Sequence, residues 1–377
     1  MADYRFDCLT ASVSPYATDE STYYSKKLFV VSSCWLATNC PPITIPVEQF
    51  IGSTWAFNHY RRPVTKLVQR RLHAYLFTPG VTPMSPEKAV LDIQGQFRVY
   101  TEFYRTDDAA AKTIILVNGS LATTASFAQT VRNLHPTFNV VLYDQPYSGR
   151  SKPHNLHGTP LTREEEGQLL LELIDHFNAE HVLSFSWGGA ATLVALAHRP
   201  KRIESAVISS FSPVINGPMR DYLDKGLDYL AAHSRYDMGH LINNTIGKHL
   251  PSLFKRFNYR HVSTLDGHEY DQMHYHFSQV LELDPDNYLT AGQQIKAPVL
   301  FINGAWDEYT CASDATQFSR YLQNCSFSTI EATGHFLDME HKAACNDSKQ
   351  ALMQFLQPGE ASYGVYRGVH DNRALAF

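Results

Sequence analysis

The chain is poor in charge, and what charge it has leans acidic. Asp, Glu, Lys and Arg make up 18% of its 377 residues, against about 25% in an ordinary soluble domain. Lys and Arg total 32 against 37 Asp and Glu, a net charge of -5. That balance excludes a general nucleic-acid binder, whose footprint is a basic excess. With 44% hydrophobic residues, the low charge also excludes a wholly disordered chain. No uninterrupted apolar run reaches the about 18 residues that a membrane-spanning helix needs. Cysteines are few: Cys8, Cys34, Cys40, Cys311, Cys325 and Cys345. None forms a C-x-x-C pair, and no Cys/His cluster has zinc-finger spacing, so neither a metal site nor a disulfide scaffold is expected. Free thiols in the cytoplasm are the simpler reading. Val31-Ser-Ser-Cys34, after Lys26-Lys27, faintly resembles a lipoprotein cleavage site, but its apolar stretch is short, interrupted and far from Met1. The expectation is a soluble globular enzyme or ligand-binding protein.

Two textures divide the chain. Residues 1–83 show no sustained helical or alternating period and read as an N-terminal extension, solvated or disordered. A basic stretch from Arg61 to Arg71, interleaved with Val64, Leu67 and Val68, could form a short amphipathic helix there. Beyond this the pattern becomes regular. Ala89–Ile93 and Gln96–Tyr104 read as strands around a Gln94-Gly95 turn. Thr113–Asn118, Asn139–Asp144, His181–Phe185, Ser205–Ser210, Val299–Asn303 and Ser326–Ile330 are apolar runs suited to a buried parallel sheet. Helices alternate with them, over Thr124–Leu134, from Thr162 with a capping box to Glu165, and over Gly188–His198. Short alternating connections predict an α/β fold with a mostly parallel sheet of about eight strands, covered on both faces. The core is expected over 84–211 and 296–358, an inserted helical cap over 212–295, and a tail over 359–377. Such a cap would cover the carboxyl edge of the sheet, where open α/β sheets bind ligands.

The chemistry concentrates at His181-Val-Leu-Ser-Phe-Ser186-Trp-Gly188-Gly189. A strand that turns sharply into a helix at Ser186 lifts its hydroxyl above the sheet. This is the nucleophile-elbow pattern G-x-S-x-G, with Ser184 in place of the first glycine. A serine nucleophile needs a base, an orienting acid and an oxyanion site. In the expected chain order, Asp307 follows one buried strand and His335, preceded by Gly334, follows the last. Glu308 competes as the acid, but Asp307 has the better offset from its strand. Oxyanion donors would be the backbone N–H of Trp187, directly after the nucleophile, and of Ser120 in the Asn118-Gly119-Ser120 turn. Many such enzymes carry His-Gly at that turn, so Asn118 is a departure. Asp144-Gln-Pro-Tyr-Ser-Gly149-Arg-Ser151 reads as a structural loop braced by Asp144 and Ser151. His261 and Asp266 match a short H-x-x-x-x-D pattern found in some acyltransferases, here given a structural reading. A carboxylate nucleophile, as dehalogenases and epoxide hydrolases require, is excluded by Ser186. A silent binding protein on the same scaffold is disfavoured by the intact triad candidates.

From about Met84 to Leu356 the chain resembles, within the α/β-hydrolases, the (R)-3-hydroxyacyl-ACP:CoA transacylases of medium-chain polyhydroxyalkanoate synthesis. The resembling strings are Ala89-Val-Leu-Asp-Ile-Gln-Gly-Gln, Asn118-Gly-Ser-Leu-Ala-Thr-Thr-Ala-Ser-Phe127, Ser184-Phe-Ser-Trp-Gly-Gly189, Pro251–His261, Asp307-Glu-Tyr-Thr310 and Gly334-His-Phe-Leu-Asp338. A sister family, the synthase joining two 3-hydroxyacyl chains into a rhamnolipid precursor, shares several of them and matches Trp306. The Lys255–His261 string favours the transacylase. The resemblance implies transfer of a 3-hydroxyacyl group from acyl carrier protein (ACP) to coenzyme A as co-substrate, with no other cofactor. If water accepts the group instead, the activity is a thioesterase; if another hydroxyacyl chain does, it is the synthase. All three use Ser186, Asp307 and His335. Lys248, Lys255, Arg256 and Arg260, clustered in the cap of an acidic chain, would then dock the acidic face of the carrier protein. The resemblance also implies that family members begin near Met84, leaving residues 1–83, without counterpart, as an upstream translation from a misplaced start.

Overall fold

The computed structural model describes residues 85–135, 137–155, 158–282 and 291–357. The extension over 1–83, the Met84 start, the tail over 359–377 and Cys8, Cys34 and Cys40 lie outside these residues. Eight strands form one sheet: β1 (Glu87–Ile93), β2 (Phe97–Tyr104), β3 (Thr113–Val117), β4 (Asn139–Tyr143), β5 (His181–Phe185), β6 (Ser205–Ser209), β7 (Val299–Gly304) and β8 (Cys325–Ile330). Their spatial order is β1-β2-β4-β3-β5-β6-β7-β8. β1 pairs antiparallel with β2, and β2 with β4; every later pairing is parallel. The three-residue β1–β2 connection turns at Gln94 and Gly95, both with positive φ (53° and 70°), and Gln96 N–H closes the turn onto Ile93 O (2.9 Å).

Helices cover both faces, which explains the unbroken apolar runs. On one side α2 (Arg163–Phe177) and α3 (Gly188–Ala197) bring Leu169, Leu170, Leu173, Leu193 and Leu196 against Ile115, Val117 and Val141. On the other, α1 (Ala128–Leu134) and the C-terminal helix bring Val131, Leu134, Leu352 and Leu356 against the alternate residues Ile114, Leu116, Val140 and Leu142. Adjacent residues of one strand thus enter different cores. The capping box at Thr162 and Glu165 is formed: the Thr162 hydroxyl accepts from the Glu165 N–H, and the Glu165 carboxylate accepts from the Thr162 N–H.

Between β6 and β7 the described residues form four α-helices: α4 (Gly217–Ala231), α5 (Arg235–Asn244), α6 (Ser252–Thr264) and α7 (Gly267–Leu281). Their apolar faces build a third core from Tyr222, Leu223, Leu230, Met238, Ile242, Val262, Tyr270, Met273 and Phe277. Leu121 and Tyr309, from loops that follow β3 and β7, belong to the same cluster. The helices therefore sit on loops at the carboxyl edge of the sheet. The remaining α-helices among the described residues are the short α8 (Ala312–Ala315) and α9 (Leu337–Glu340) and the longer α10 (Lys342–Leu356). No helix among the described residues is long and apolar enough to cross a membrane.

The sheet order places one crevice ahead of all others. From β3 the chain runs to β4 on one side and then to β5 on the other, so the carboxyl ends of β3 and β5 flank the topological switch point. Asn118-Gly119-Ser120 leaves β3 there, and Ser186 leaves β5. Close backbone packing makes this possible. A Cβ on Gly188 would lie 2.5 Å from the Asn118 carbonyl oxygen and 2.7 Å from that of Val117. Both obstacles are main chain and cannot swing aside. Gly188→Ala is therefore expected to cost about 1–3 kcal/mol by overpacking. Urea unfolding measures this as a lowered midpoint at constant slope, and an unchanged midpoint would contradict the packing argument.

Candidate active site

Ser186 holds a left-handed backbone, φ 51°, which a residue with a Cβ adopts only at a cost. Bonds on both sides hold it. Its N–H donates to Ser209 O on β6 (2.9 Å), and its carbonyl accepts from Gly189 N in the first turn of α3 (2.8 Å). Ser184, where the motif expects glycine, is fully buried, with its hydroxyl 3.5 Å from Val207 O. The small side chain fits, as the sequence suggested.

The loops after β7 and β8 bring the other two residues in. His335 Nε2 lies 3.2 Å from Ser186 Oγ, and its Nδ1 lies 2.8 Å from Asp307 Oδ2. Both Asp307 and His335 are buried. The two loops are laced together: Trp306 N donates to Thr333 O (2.8 Å) and Ala305 N to Ile330 O (2.9 Å). Buried Glu340 fastens the histidine loop, accepting from Gly334 N (2.8 Å), Phe336 N (3.1 Å) and the Thr333 hydroxyl (2.9 Å). Ser210 Oγ donates to His335 O (2.6 Å). The imidazole is edged by Phe185 and Phe336, at centroid distances of 5.3 and 5.5 Å.

Asp307 is a saturated acceptor. Oδ1 takes the N–H groups of Tyr309 (2.9 Å) and Thr310 (3.1 Å), and Oδ2 takes the Thr310 hydroxyl (2.5 Å) besides His335. Burial alone would raise its pKa, but the His335 charge and hydrogen bond, then the Thr310 bonds, outweigh it and pull the value to about 2. Glu308 turns away: its side chain is mostly exposed and pairs with Lys248 at 2.8 Å. Geometry therefore selects Asp307 over Glu308.

The turn after β3 lies against the elbow. A Cβ on Gly119 would sit 3.4 Å from Ser186 Cβ and 3.3 Å from Phe185 O. Among the described residues no backbone carbonyl accepts from the N–H of Ser120 or Trp187. Trp187 opens α3, where unsatisfied N–H groups gather positive potential. Asn118, the departure from the usual histidine, is spent on the fold: Oδ1 accepts from Ser126 Oγ (2.6 Å) and Nδ2 reaches Tyr143 O (3.4 Å).

Other sequence candidates find structural employment. Asp144 accepts from Thr124 N (2.6 Å) and Arg150 N (2.7 Å), and Ser151 Oγ donates to Asp144 O (2.6 Å), bracing their loop. Asp266 caps α7 and pairs with Lys152 (2.9 Å), while His261 Nε2 lies 3.0 Å from Leu121 O. In the basic group, Lys248 is taken by Glu308 and Lys255 Nζ donates to Lys248 O (2.7 Å). Arg256 and Arg260, one turn apart on α6, are exposed and make no ion pair with any described residue. The sequence reading missed Glu340, and it missed Glu166 on α2 and His276 on α7, which lie 3.1 Å apart in full burial. Glu166 stands within an acidic run that reads as a helix start. Its spacing to Leu169, Leu170 and Leu173 was the one sign that it faces inward.

Replacing Asp307 by Asn keeps the shape and removes the charge. Labelling of Ser186 by a fluorophosphonate should slow by about 10³-fold or more, because the imidazole loses its orienting acceptor. The stability effect has a defined sign. A folded pKa near 2, below the unfolded value, stabilises fully above about pH 4 and less as pH falls through 2. The stability gap between the wild type and Asp307→Asn should be level from about pH 7 to 5 and close toward pH 2. A gap that widens on acidification would contradict the assignment.

Comparison with known proteins agrees with this geometry. Residues 112–342 match the family model for the alpha/beta hydrolase fold. The chain is 66% identical over 275 residues to the (R)-3-hydroxydecanoyl-ACP:CoA transacylase of Pseudomonas putida, covering 73% of this chain and 93% of the relative. The Pseudomonas aeruginosa protein of the same name is 57% identical, with 73% and 91% covered. Among solved structures, a bacterial membrane phospholipase A superposes with a TM-score of 0.61 at 18% identity, over 80% of this chain and 94% of that one. A hydrolase from Pseudomonas aeruginosa PA01 superposes at 0.58 and 20% identity, over 72% and 98%. These distant structures share the fold alone. Identity this high over nearly the whole relative decides the family: the chain belongs to the alpha/beta hydrolases and, among them, to the (R)-3-hydroxydecanoyl-ACP:CoA transacylase family.

Proposed function

We propose that this protein moves a medium-chain (R)-3-hydroxyacyl group from ACP to coenzyme A through an acyl-serine intermediate. The observation that carries the reading is the 66% identity to a protein of that name across 93% of its length. The bonded Ser186–His335–Asp307 array supplies the chemistry. His335 Nε2 takes the Ser186 proton as Oγ attacks the thioester carbonyl. Asp307, ionised far below neutral pH, balances the imidazolium. The N–H groups of Trp187 and Ser120 receive the oxyanion, and the pantetheine thiol departs with the proton from His335. Coenzyme A then attacks the acyl-serine, its thiol proton passing to His335 and on to Ser186. One thioester replaces another, so the chemistry needs no cofactor beyond coenzyme A as co-substrate.

Water is the competing acceptor, and it is abundant. Transfer therefore depends on α4–α7 covering the site and excluding water. Carrier and coenzyme both suit a cytoplasmic enzyme. For docking we take Arg256 and Arg260 as the contact pair, because Lys248 and Lys255 are engaged within the protein. An exposed arginine pair suits the acidic recognition helix of a carrier protein and would steer its approach.

One assay tests both parts. Supplied with 3-hydroxydecanoyl-ACP and coenzyme A, the enzyme should form the coenzyme A ester well ahead of free acid. Predominant free acid would make it a thioesterase, and an ester of two hydroxy acids would make it the sister synthase. Arg256→Glu with Arg260→Glu should raise KM for the acyl-ACP about tenfold at low salt and less at high salt. An equal loss on a small soluble thioester would remove the docking claim.

A further inference from the structure

Glu166 is a carboxylate with no access to water, bonded to the elbow through Trp187 and, through His276, to the turn that follows β3. Oε2 accepts from the Trp187 indole Nε1–H (2.8 Å). Oε1 accepts from the Tyr147 hydroxyl (2.7 Å) and lies 3.1 Å from His276 Nε2. The His276 ring stacks on the Trp187 indole, centroids 4.1 Å apart and planes 21° from parallel. Its other nitrogen, Nδ1, lies 3.0 Å from Ser120 Oγ. Gln272 presents Nε2 at 2.8 Å from His276 Nε2, with its amide fixed by both backbone groups of Leu161. One buried carboxyl group on α2 thus holds, through an indole and an imidazole, the side chains of the two residues whose N–H groups are proposed to receive the oxyanion. A buried carboxylate is costly unless hydrogen-bonded, and both oxygens of this one have partners.

The network surfaces at Ser120. Glu166, Gln272 and His276 are all but inaccessible, whereas Ser120 is half-buried in the turn that packs on the elbow. Its hydroxyl keeps hydrogen-bonding capacity in either tautomer of His276. If Nδ1–H donates, Ser120 has its own O–H to give; if Nδ1 accepts that O–H, the oxygen lone pairs remain to receive. A substrate hydroxyl, which both gives and receives, satisfies either case; a carbonyl satisfies one. Asn118, the other polar side chain of the turn, has both ends committed to the fold. The position matches the proposed substrate. The N–H and Oγ of one serine are joined through Cα and Cβ, and a 3-hydroxyacyl thioester carries its carbonyl and hydroxyl oxygens on carbons one atom apart. The serine atoms are three bonds apart and the substrate oxygens four, a match in reach that lets Ser120 address both oxygens at once.

We propose that Ser120 Oγ, oriented by His276 and Glu166, binds the 3-hydroxyl of the acyl chain and selects 3-hydroxyacyl over plain acyl thioesters. This deepens the transacylase reading and rests on it. Ser120 is the contact; His276 and Glu166 act through it as positioning residues. A site built to bond a hydroxyl discriminates against the analogue that lacks it, because its own polar group is left unpaired.

The test compares kcat/KM for (R)-3-hydroxydecanoyl and decanoyl thioesters of the same carrier. Ser120→Ala keeps the backbone N–H and loses Oγ; the preference for the hydroxyacyl substrate should fall about tenfold or more. Ser120→Thr, which restores a hydroxyl, should retain most of it. His276→Asn should erode the preference in the wild-type background and leave it unmoved in the Ser120→Ala background, as coupled residues do. Equal losses on both thioesters in Ser120→Ala would overturn the proposal, since Ser120 would then serve the oxyanion alone. An intact preference would overturn it too, as would a wild type that shows none. A wild type that prefers the hydroxyacyl chain yet releases free acid would sink the transacylase reading and leave this one standing.

Discussion

Everything in the site depends on one strained residue. Ser186 has a left-handed backbone because a strand must become a helix within two residues while lifting a hydroxyl clear of the sheet. That turn persists only because its surroundings over-determine it. The Ser209 carbonyl ties it to β6, α3 starts on its own carbonyl, and Gly188 lets that helix rest on the backbone of β3. The contact with β3 then does a second task. It brings the Asn118-Gly119-Ser120 turn beside the nucleophile, so the strain that exposes the hydroxyl also gathers the N–H groups proposed to receive the oxyanion.

Buried carboxylates hold the remaining parts, each in a different way. Asp307 is charged and saturated, with four bonds to its two oxygens, and its low pKa follows from the imidazole and Thr310 overcoming burial. Glu340 takes no part in proton transfer; it gathers two N–H groups and a hydroxyl to give the His335 loop a fixed shape. Glu166 lies behind the oxyanion turn and spans core, elbow and cap helix. Such groups are expensive to bury and give direction in return, since a carboxylate accepts only along its lone pairs. A site that must hold an acyl group against water needs that fixity on its walls as well as at its nucleophile.

Much of this was legible in the sequence because it is local. Continuous apolar runs gave the parallel strands, alternating apolar residues of one strand serving two cores, and Thr162 with Glu165 gave a helix start. The elbow is a contiguous string, and the offsets of Asp307 and His335 from their strands located the rest. What was not legible depends on contacts between distant segments. His276 is one of 18 histidines, and nothing within α7 distinguishes it; its role comes from Glu166, 110 residues away. The basic cap group looked uniform because sequence cannot show that the Lys248 ammonium meets Glu308 or that Lys255 turns onto a carbonyl. Pairing across the fold sorts four similar cations into two that are bound and two that are exposed.

The central claim is that Ser186 carries the acyl group between two thiols. Rapid mixing of the enzyme with 3-hydroxydecanoyl-ACP, acid quench and intact-mass measurement tests it directly. The account predicts one added 3-hydroxydecanoyl mass per chain, localised to the Ser186 peptide, and absent in Ser186→Ala. Adding coenzyme A before the quench should discharge that adduct into the coenzyme A ester faster than water discharges it alone. An adduct on another residue, or ester formation undiminished in Ser186→Ala, would contradict the account.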